Sequence, residues 1–82
     1  MKALKFYAEW CGPCKELSRW MEGNELPFEL EAIDIDEEID KAERYGIRSI
    51  PALVILNDKG EKINSAVSLP SIKKLVAELS NH

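Results

Sequence analysis

Apolar positions along the chain change spacing in a way that predicts seven short elements. Leu4-Lys5-Phe6-Tyr7-Ala8 reads as a strand that runs directly into Glu9 and Trp10. Pro13 suits the first turn of a helix, where its missing N–H costs nothing. Leu17, Trp20 and Met21 then recur at i, i+3 and i+4, one buried stripe, and Gly23-Asn24 ends the helix. From Phe28 to Ile35 polar and apolar residues alternate, the period of a second strand. Asp36 is the expected N-cap of a short helix that turns Ile39 and Ala42 inward, and Gly46 closes it. Ala52-Leu53-Val54-Ile55-Leu56 is an unbroken apolar run, the pattern of a strand covered on both faces. Asn57-Asp58-Lys59-Gly60 predicts a hairpin turn, after which Ile63, Ser65 and Val67 give the returning strand one inward face. Ile72, Leu75, Val76 and Leu79 define an amphipathic final helix.

The predicted order is β-α-β-α-β-β-α, an α/β class. The first two strands are joined through a helix, so they are expected to lie parallel with a right-handed crossover. The last two form an antiparallel hairpin. The expected architecture is one domain over residues 1–82: a four-stranded mixed sheet with three helices distributed over both faces.

The chemistry is concentrated in Trp10-Cys11-Gly12-Pro13-Cys14, which holds the only two cysteines, and in Ser49-Ile50-Pro51 at the entrance to the apolar run. Exchange between thiols and disulfides requires a thiolate, because the protonated thiol barely attacks. A strand-to-helix junction sets Cys11 at a helix N-terminus, where unpaired N–H groups and the helix dipole favour negative sulfur. Cys11 is then the exposed nucleophile. Cys14, one turn on and facing inward, resolves the mixed disulfide, while Gly12 and Pro13 set the turn. Two other uses of the pair fit less well. A structural disulfide over so small a loop restricts the unfolded chain little. A zinc site needs a second pair of ligands, and the only histidine is His82 at the last position.

Composition narrows the partners. An 82-residue chain with 45% hydrophobic and 32% charged residues is ordinary for a globular domain. The net charge is −4 with scattered basic residues, which argues against a nucleic-acid ligand. The acidic stretch from Asp34 to Asp40 reads as a solvated helix start that also suits a basic partner. Met1 to Tyr7 is interrupted by lysine and has no signal-peptide pattern, and no apolar run reaches membrane-spanning length. The expectation is a cytoplasmic protein (host cytoplasm if viral) that binds neither membrane nor nucleic acid and is monomeric.

With these residues in view, the sequence resembles the thioredoxin family. The resemblance is carried by Phe6-Tyr7-Ala8-Glu9-Trp10-Cys11-Gly12-Pro13-Cys14-Lys15, by Ile33-Asp34-Ile35-Asp36, and by Tyr45-Gly46-Ile47-Arg48-Ser49-Ile50-Pro51. It implies a minimal thioredoxin fold and a protein disulfide reductase that needs no cofactor beyond its redox-active Cys11–Cys14 disulfide. Recharging by an NADPH-dependent thioredoxin reductase is implied, as is electron transport to clients such as ribonucleotide reductase. It implies a cis bond between Ile50 and Pro51, with Ile50, Pro51 and Trp10 lining the substrate groove. A Cys11 pKa near about 7, the value known for thioredoxin itself, would follow.

Three departures from the family pattern stand out. The chain begins almost directly at its first strand, as in glutaredoxins and small phage or archaeal redoxins. Lys5 stands where the family carries a buried aspartate, so a cation in place of a carboxylate is expected to lower a thiol pKa. Ser68 stands near a family glycine and is expected to narrow the groove. A glutaredoxin-like, glutathione-dependent carrier matches the length, but Val67-Ser68-Leu69-Pro70-Ser71 lacks the glycine pair that cradles glutathione. A structural subunit that never uses its thiols is the third reading.

Overall fold

The computed structural model describes residues 1–81; His82 lies outside them. The elements follow the predicted order: β1 (Lys2–Tyr7), α1 (Gly12–Glu22), β2 (Glu29–Asp34), α2 (Ile39–Arg44), β3 (Ala52–Leu56), β4 (Lys62–Val67) and α3 (Leu69–Ser80). The four strands form one mixed sheet in the order β2-β1-β3-β4. β1 pairs parallel with β2 and antiparallel with β3, and β3 pairs antiparallel with β4.

Strand alternation divides the core into two layers. Ala3 of β1 and Leu53 and Ile55 of β3 pack against Leu17 and Met21 of α1 and Ile72, Leu75 and Val76 of α3. On the opposite face Leu4, Phe6, Ile33, Ala52, Val54 and Leu56 pack with Ala42 and Tyr45 from the region of α2. All five residues of β3 are buried, as its unbroken apolar run requires. The hairpin turn is built on Asn57, whose side-chain oxygen accepts from the N–H groups of Lys59 and Glu61, both at 2.9 Å. Gly60 there has φ +80°, a conformation open to glycine.

The structure corrects the reading of the sequence at two elements. The N-cap position of α2 is Glu38, not Asp36, with no side-chain capping bond, and Ile39 is 58% exposed instead of facing inward. The reason is local. Asp34 folds the preceding loop around itself: its carboxylate accepts from Asp36 N–H at 2.9 Å and its carbonyl from the N–H groups of Glu37 and Glu38. That loop delays the helix, and only Ala42 of the expected pair reaches the core.

The second correction concerns β4. Ile63 and Val67 are 56% and 51% exposed, Ser65 is also exposed, and the half-buried residue is Ala66. Ser65 and Val67 pair with Val54 and Ala52 and so share the α2 side of the sheet. β4 is the edge strand, and the residues packed on that face come from the opposite strands and the α2 region, so the edge stays bare. An irregularity between Ile55 and Leu56 also shifts the register, setting Asn64 opposite Ile55 and Lys62 opposite Leu56.

Candidate active site

The end of β1 delivers the dithiol. After Tyr7 the chain turns so that Cys11 N–H donates to the Ala8 carbonyl at 3.1 Å, and α1 begins at Gly12. Cys11 is the N-cap of α1. Its sulfur accepts from the Cys14 backbone N–H at 3.2 Å, one of the donors that a helix N-terminus leaves without an intrahelical partner. Pro13 occupies the first turn, as expected. Cys11 and Cys14 are joined in a disulfide, with their Cα atoms 5.3 Å apart.

Both sulfur-bearing residues are shielded. Cys11 is 5% exposed and Cys14 2%, so Cys11 is the more open only by a small margin. They form a compact cluster with Ala8, against which Tyr7, Ile35 and Ile50 pack. Cys11 is thus less exposed in the disulfide state than the sequence suggests, because its sulfur folds back over the helix start.

Ile50 and Pro51 join this cluster from a distant part of the chain. The peptide bond between them is cis, Pro51 is buried, and Ile50 packs against both the cysteine cluster and the α2-side core. The Pro51 carbonyl accepts from Ser68 N–H at 3.1 Å, which ties the start of α3 to the same corner. Ser68 has φ 75° and ψ 152°, a region in which a residue with a Cβ is strained. Replacing Ser68 by glycine is therefore expected to stabilise the protein by about 1 kcal/mol, strain relief outweighing the greater freedom of glycine in the unfolded chain. Thermal unfolding checks this: the midpoint should rise by roughly 4–8 °C for a domain of this size. A lower midpoint would mean that the hydrogen bond from Ser68 to the Ser71 hydroxyl, 3.3 Å long, outweighs the strain.

Trp10 is 69% exposed and held in place by its indole N–H, which donates to the Asp36 carboxylate at 3.0 Å. Asp36 is a site residue that sequence reasoning missed. It reads locally as a helix cap, and only the parallel pairing of β1 with β2 brings it beside Trp10. Tyr7 carries a pKa above the ordinary tyrosine value, first through desolvation and then through Asp34, Glu9, Glu37 and Glu38. The rim of the site is accordingly acidic.

Lys5 lies on the α1 side of the sheet, one strand position from Phe6, which points the other way. It is 9% exposed and donates to the Ser18 hydroxyl at 2.7 Å. Among the described residues, no group of three or more His, Cys, Asp or Glu side chains converges as a metal ion would require. Also among them, no helix is long and apolar enough to cross a membrane.

This geometry stores and returns two electrons. A disulfide between residues one helical turn apart opens to a dithiol whose first sulfur faces the Cys14 backbone N–H. Comparison with known proteins agrees. The sequence profile of the family described as Thioredoxin matches residues 2–81. The chain belongs to the thioredoxin family. It is 40% identical to the thioredoxin of Chlamydia muridarum, the match covering 96% of this chain and 79% of that protein. It is 30% identical to an SPbeta prophage-derived thioredoxin-like protein of Bacillus subtilis, covering 96% of this chain and 99% of that one. Among solved structures, a thioredoxin mutant from Halobacterium salinarum superposes with a TM-score of 0.80 at 34% identity, over 95% of this chain and 73% of that one. Membership of the thioredoxin family, with Cys11 and Cys14 bonded at its centre, makes the chain a thiol–disulfide oxidoreductase.

Proposed function

We propose that the chain acts in the cytoplasm as a monomeric carrier that reduces protein disulfides and is itself recharged by a thioredoxin reductase at the expense of NADPH. Cys11 is the nucleophile and Cys14 the resolving thiol. The observation that carries this assignment is the Cys14 N–H aimed at the Cys11 sulfur, a fixed donor that favours the Cys11 thiolate over the thiol.

The Cys11 thiolate attacks one sulfur of the client disulfide, and the other client sulfur leaves with the electron pair. Cys14 then attacks Cys11, closes the Cys11–Cys14 bond and releases the second client sulfur as a thiolate. Two electrons have passed from the dithiol to the client, and two protons from the dithiol balance the two client thiolates. Trp10, Ile50, Pro51 and Ser68 form the groove that receives the extended client segment. Gly12, with open space around its Cα, leaves the approach to Cys11 unobstructed. Ribonucleotide reductase is a client that membership of the family suggests. The monomer is supported by exposed apolar side chains that are spread over the N-terminus, the Trp10 loop, α2 and β4.

Trp10 provides the test. The oxidised protein is mixed with NADPH and thioredoxin reductase in one cuvette and with reduced glutathione in another, and tryptophan fluorescence is followed. A change driven by the reductase supports the proposal. Rapid reduction by glutathione with no response to the reductase would replace it with a glutathione-linked carrier.

A further inference from the structure

β4 leaves more than a bare edge. Ser65 and Val67 lie on its α2 side, and Lys62 pairs with Leu56, whose side chain is on that side too. Residues 45–49, between α2 and β3, stand opposite them. A groove of about 270 Å³ separates these two walls, with Tyr45, Ile47 and Arg48 on one and Lys62, Ser65 and Val67 on the other. Small-molecule sites usually hold about 300–1,000 Å³ and enclose their ligand, so a smaller space laid along a strand suits the side chains of a peptide.

At one end the groove opens onto the client site. Val67 adjoins Ser68, Ser49 adjoins Ile50, and Val67 pairs with Ala52. The bond from Ser68 N–H to the Pro51 carbonyl holds the two walls together there. A segment seated on Trp10, Ile50, Pro51 and Ser68 therefore has a continuation along β4.

Charge decides what that continuation holds. Arg48 and Lys62 are exposed, and among the described residues neither pairs with a carboxylate. No Asp or Glu among the described residues lines the groove, although acidic residues outnumber Lys and Arg in the chain by 15 to 11. One lysine on an edge strand is the ordinary guard against edge-to-edge pairing. Arg48 comes from the opposite wall, so guarding the strand does not account for it. The other end of the client site is acidic, where Asp36 holds Trp10 and Glu9 precedes it.

We propose that the groove is a subsite for the client chain, selecting clients that carry an acidic side chain about three to five residues from the attacked cysteine. The inference rests on the reading of Cys11 as the nucleophile toward protein disulfides. The spacing follows from the register: Ser65 lies opposite Val54 and Lys62 opposite Leu56, three and five residues beyond Pro51. An extended client advances at about the same 3.3 Å per residue as the strand beside it. The aliphatic part of a glutamate packs on Tyr45, Ile47 and Val67, and its carboxylate meets Arg48 and Lys62. Two exposed ion pairs together are worth about two- to thirtyfold in binding.

The test uses three peptides, each with one cysteine in a mixed disulfide to an aromatic thiol that absorbs visible light when released. One carries glutamate at the third to fifth positions before the cysteine, one carries it at the same positions after, and one carries glutamine at both. The Cys11 thiolate attacks the peptide sulfur, and the aromatic thiolate leaves with the electron pair. Cys14 then closes the Cys11–Cys14 bond and frees the peptide thiolate.

At low salt, one glutamate peptide should react about threefold or more faster than the glutamine peptide. The other should gain nothing, because its acids meet the rim at Asp36. The preference should fall toward unity at roughly 1 M salt, where screening acts within about 3 Å. Combining Arg48→Gln with Lys62→Gln should abolish it. Combining Lys59→Gln with Lys74→Gln, which removes the same charge from exposed positions outside the groove, should keep it. The proposal is overturned if neither glutamate peptide gains, if both gain alike, if the gain survives loss of Arg48 and Lys62, or if the control pair loses it equally. If all three peptides and a plain aromatic disulfide fail to react with the reduced parent, the exchange reading falls and the subsite with it.

Discussion

Replacing Cys14 by serine is expected to turn a catalyst into a trap, with turnover lost and a covalent adduct to the client accumulating through Cys11. The two Cα atoms are 5.3 Å apart at the start of one helix, so resolution is an intramolecular step. Well-oriented groups in such a step reach effective molarities of about 10⁵ M or more, against millimolar thiols in solution. Without Cys14, only those external thiols remain to free the client. Replacing Cys11 by serine should instead abolish the reaction at its first step, because a hydroxyl does not supply the thiolate that attacks a disulfide. The two variants are separated by intact mass. Cys14→Ser should gain the mass of one client after incubation with an oxidised substrate, and Cys11→Ser should gain none. The reverse pattern would exchange the roles of the two sulfurs. A double variant that still supports the cellular function would point to a structural subunit independent of its thiols.

The parts of this molecule that were legible in the sequence are those set by neighbours in the chain. The dithiol was legible because Cys11, Pro13 and Cys14 lie within one helical turn, and the chemistry of a helix start needs nothing distant. β3 was legible because five consecutive apolar residues are buried together. The α1 and α3 stripes were legible because the helical period puts Leu17 and Met21, or Ile72, Leu75 and Val76, on one side.

The errors share a different cause. Ile39 and β4 were misread because alternation tells which side of an element is apolar but not whether anything covers it. Val67 does share a face with Ala52, as alternation requires, but the core on that face ends before the sheet edge. Asp36 reads locally as a cap, whereas its carboxylate holds Trp10 across a tertiary contact. Ser18 carries no signal of its own in the sequence for the same reason. Its position one turn beyond Cys14 can be read from the sequence, but its bond to Lys5 depends on how α1 lies over β1.

That dependence of the site on the sheet leads to the largest expected effect on stability. Phe6 is fully buried at the centre of the α2-side core, next to the strand end that carries Tyr7, Ala8 and the dithiol. Its ring lies 5.9 Å from that of Tyr45, tilted at 56°, a favourable edge-biased arrangement. Phe6→Ala is expected to cost about 3–5 kcal/mol, the transfer of the ring to water together with the cavity left behind. At about 0.05–0.15 kcal/mol per residue, a chain of 82 residues holds roughly 4–12 kcal/mol in all, so the substitution removes a large part or the whole of it. Urea unfolding should show a midpoint lowered in proportion with an unchanged slope, or no folded baseline at all. The disulfide closes too short a loop to offset this, so the oxidised and reduced variants should be destabilised alike. A loss below about 1 kcal/mol would mean that Tyr45 and Ile33 collapse into the space, and that this layer is softer than a well-packed core. If the loss is as large as expected while Leu79→Ala, a half-buried position at the end of α3, costs far less, then the anchoring of β1 under α2 is what keeps the dithiol in place.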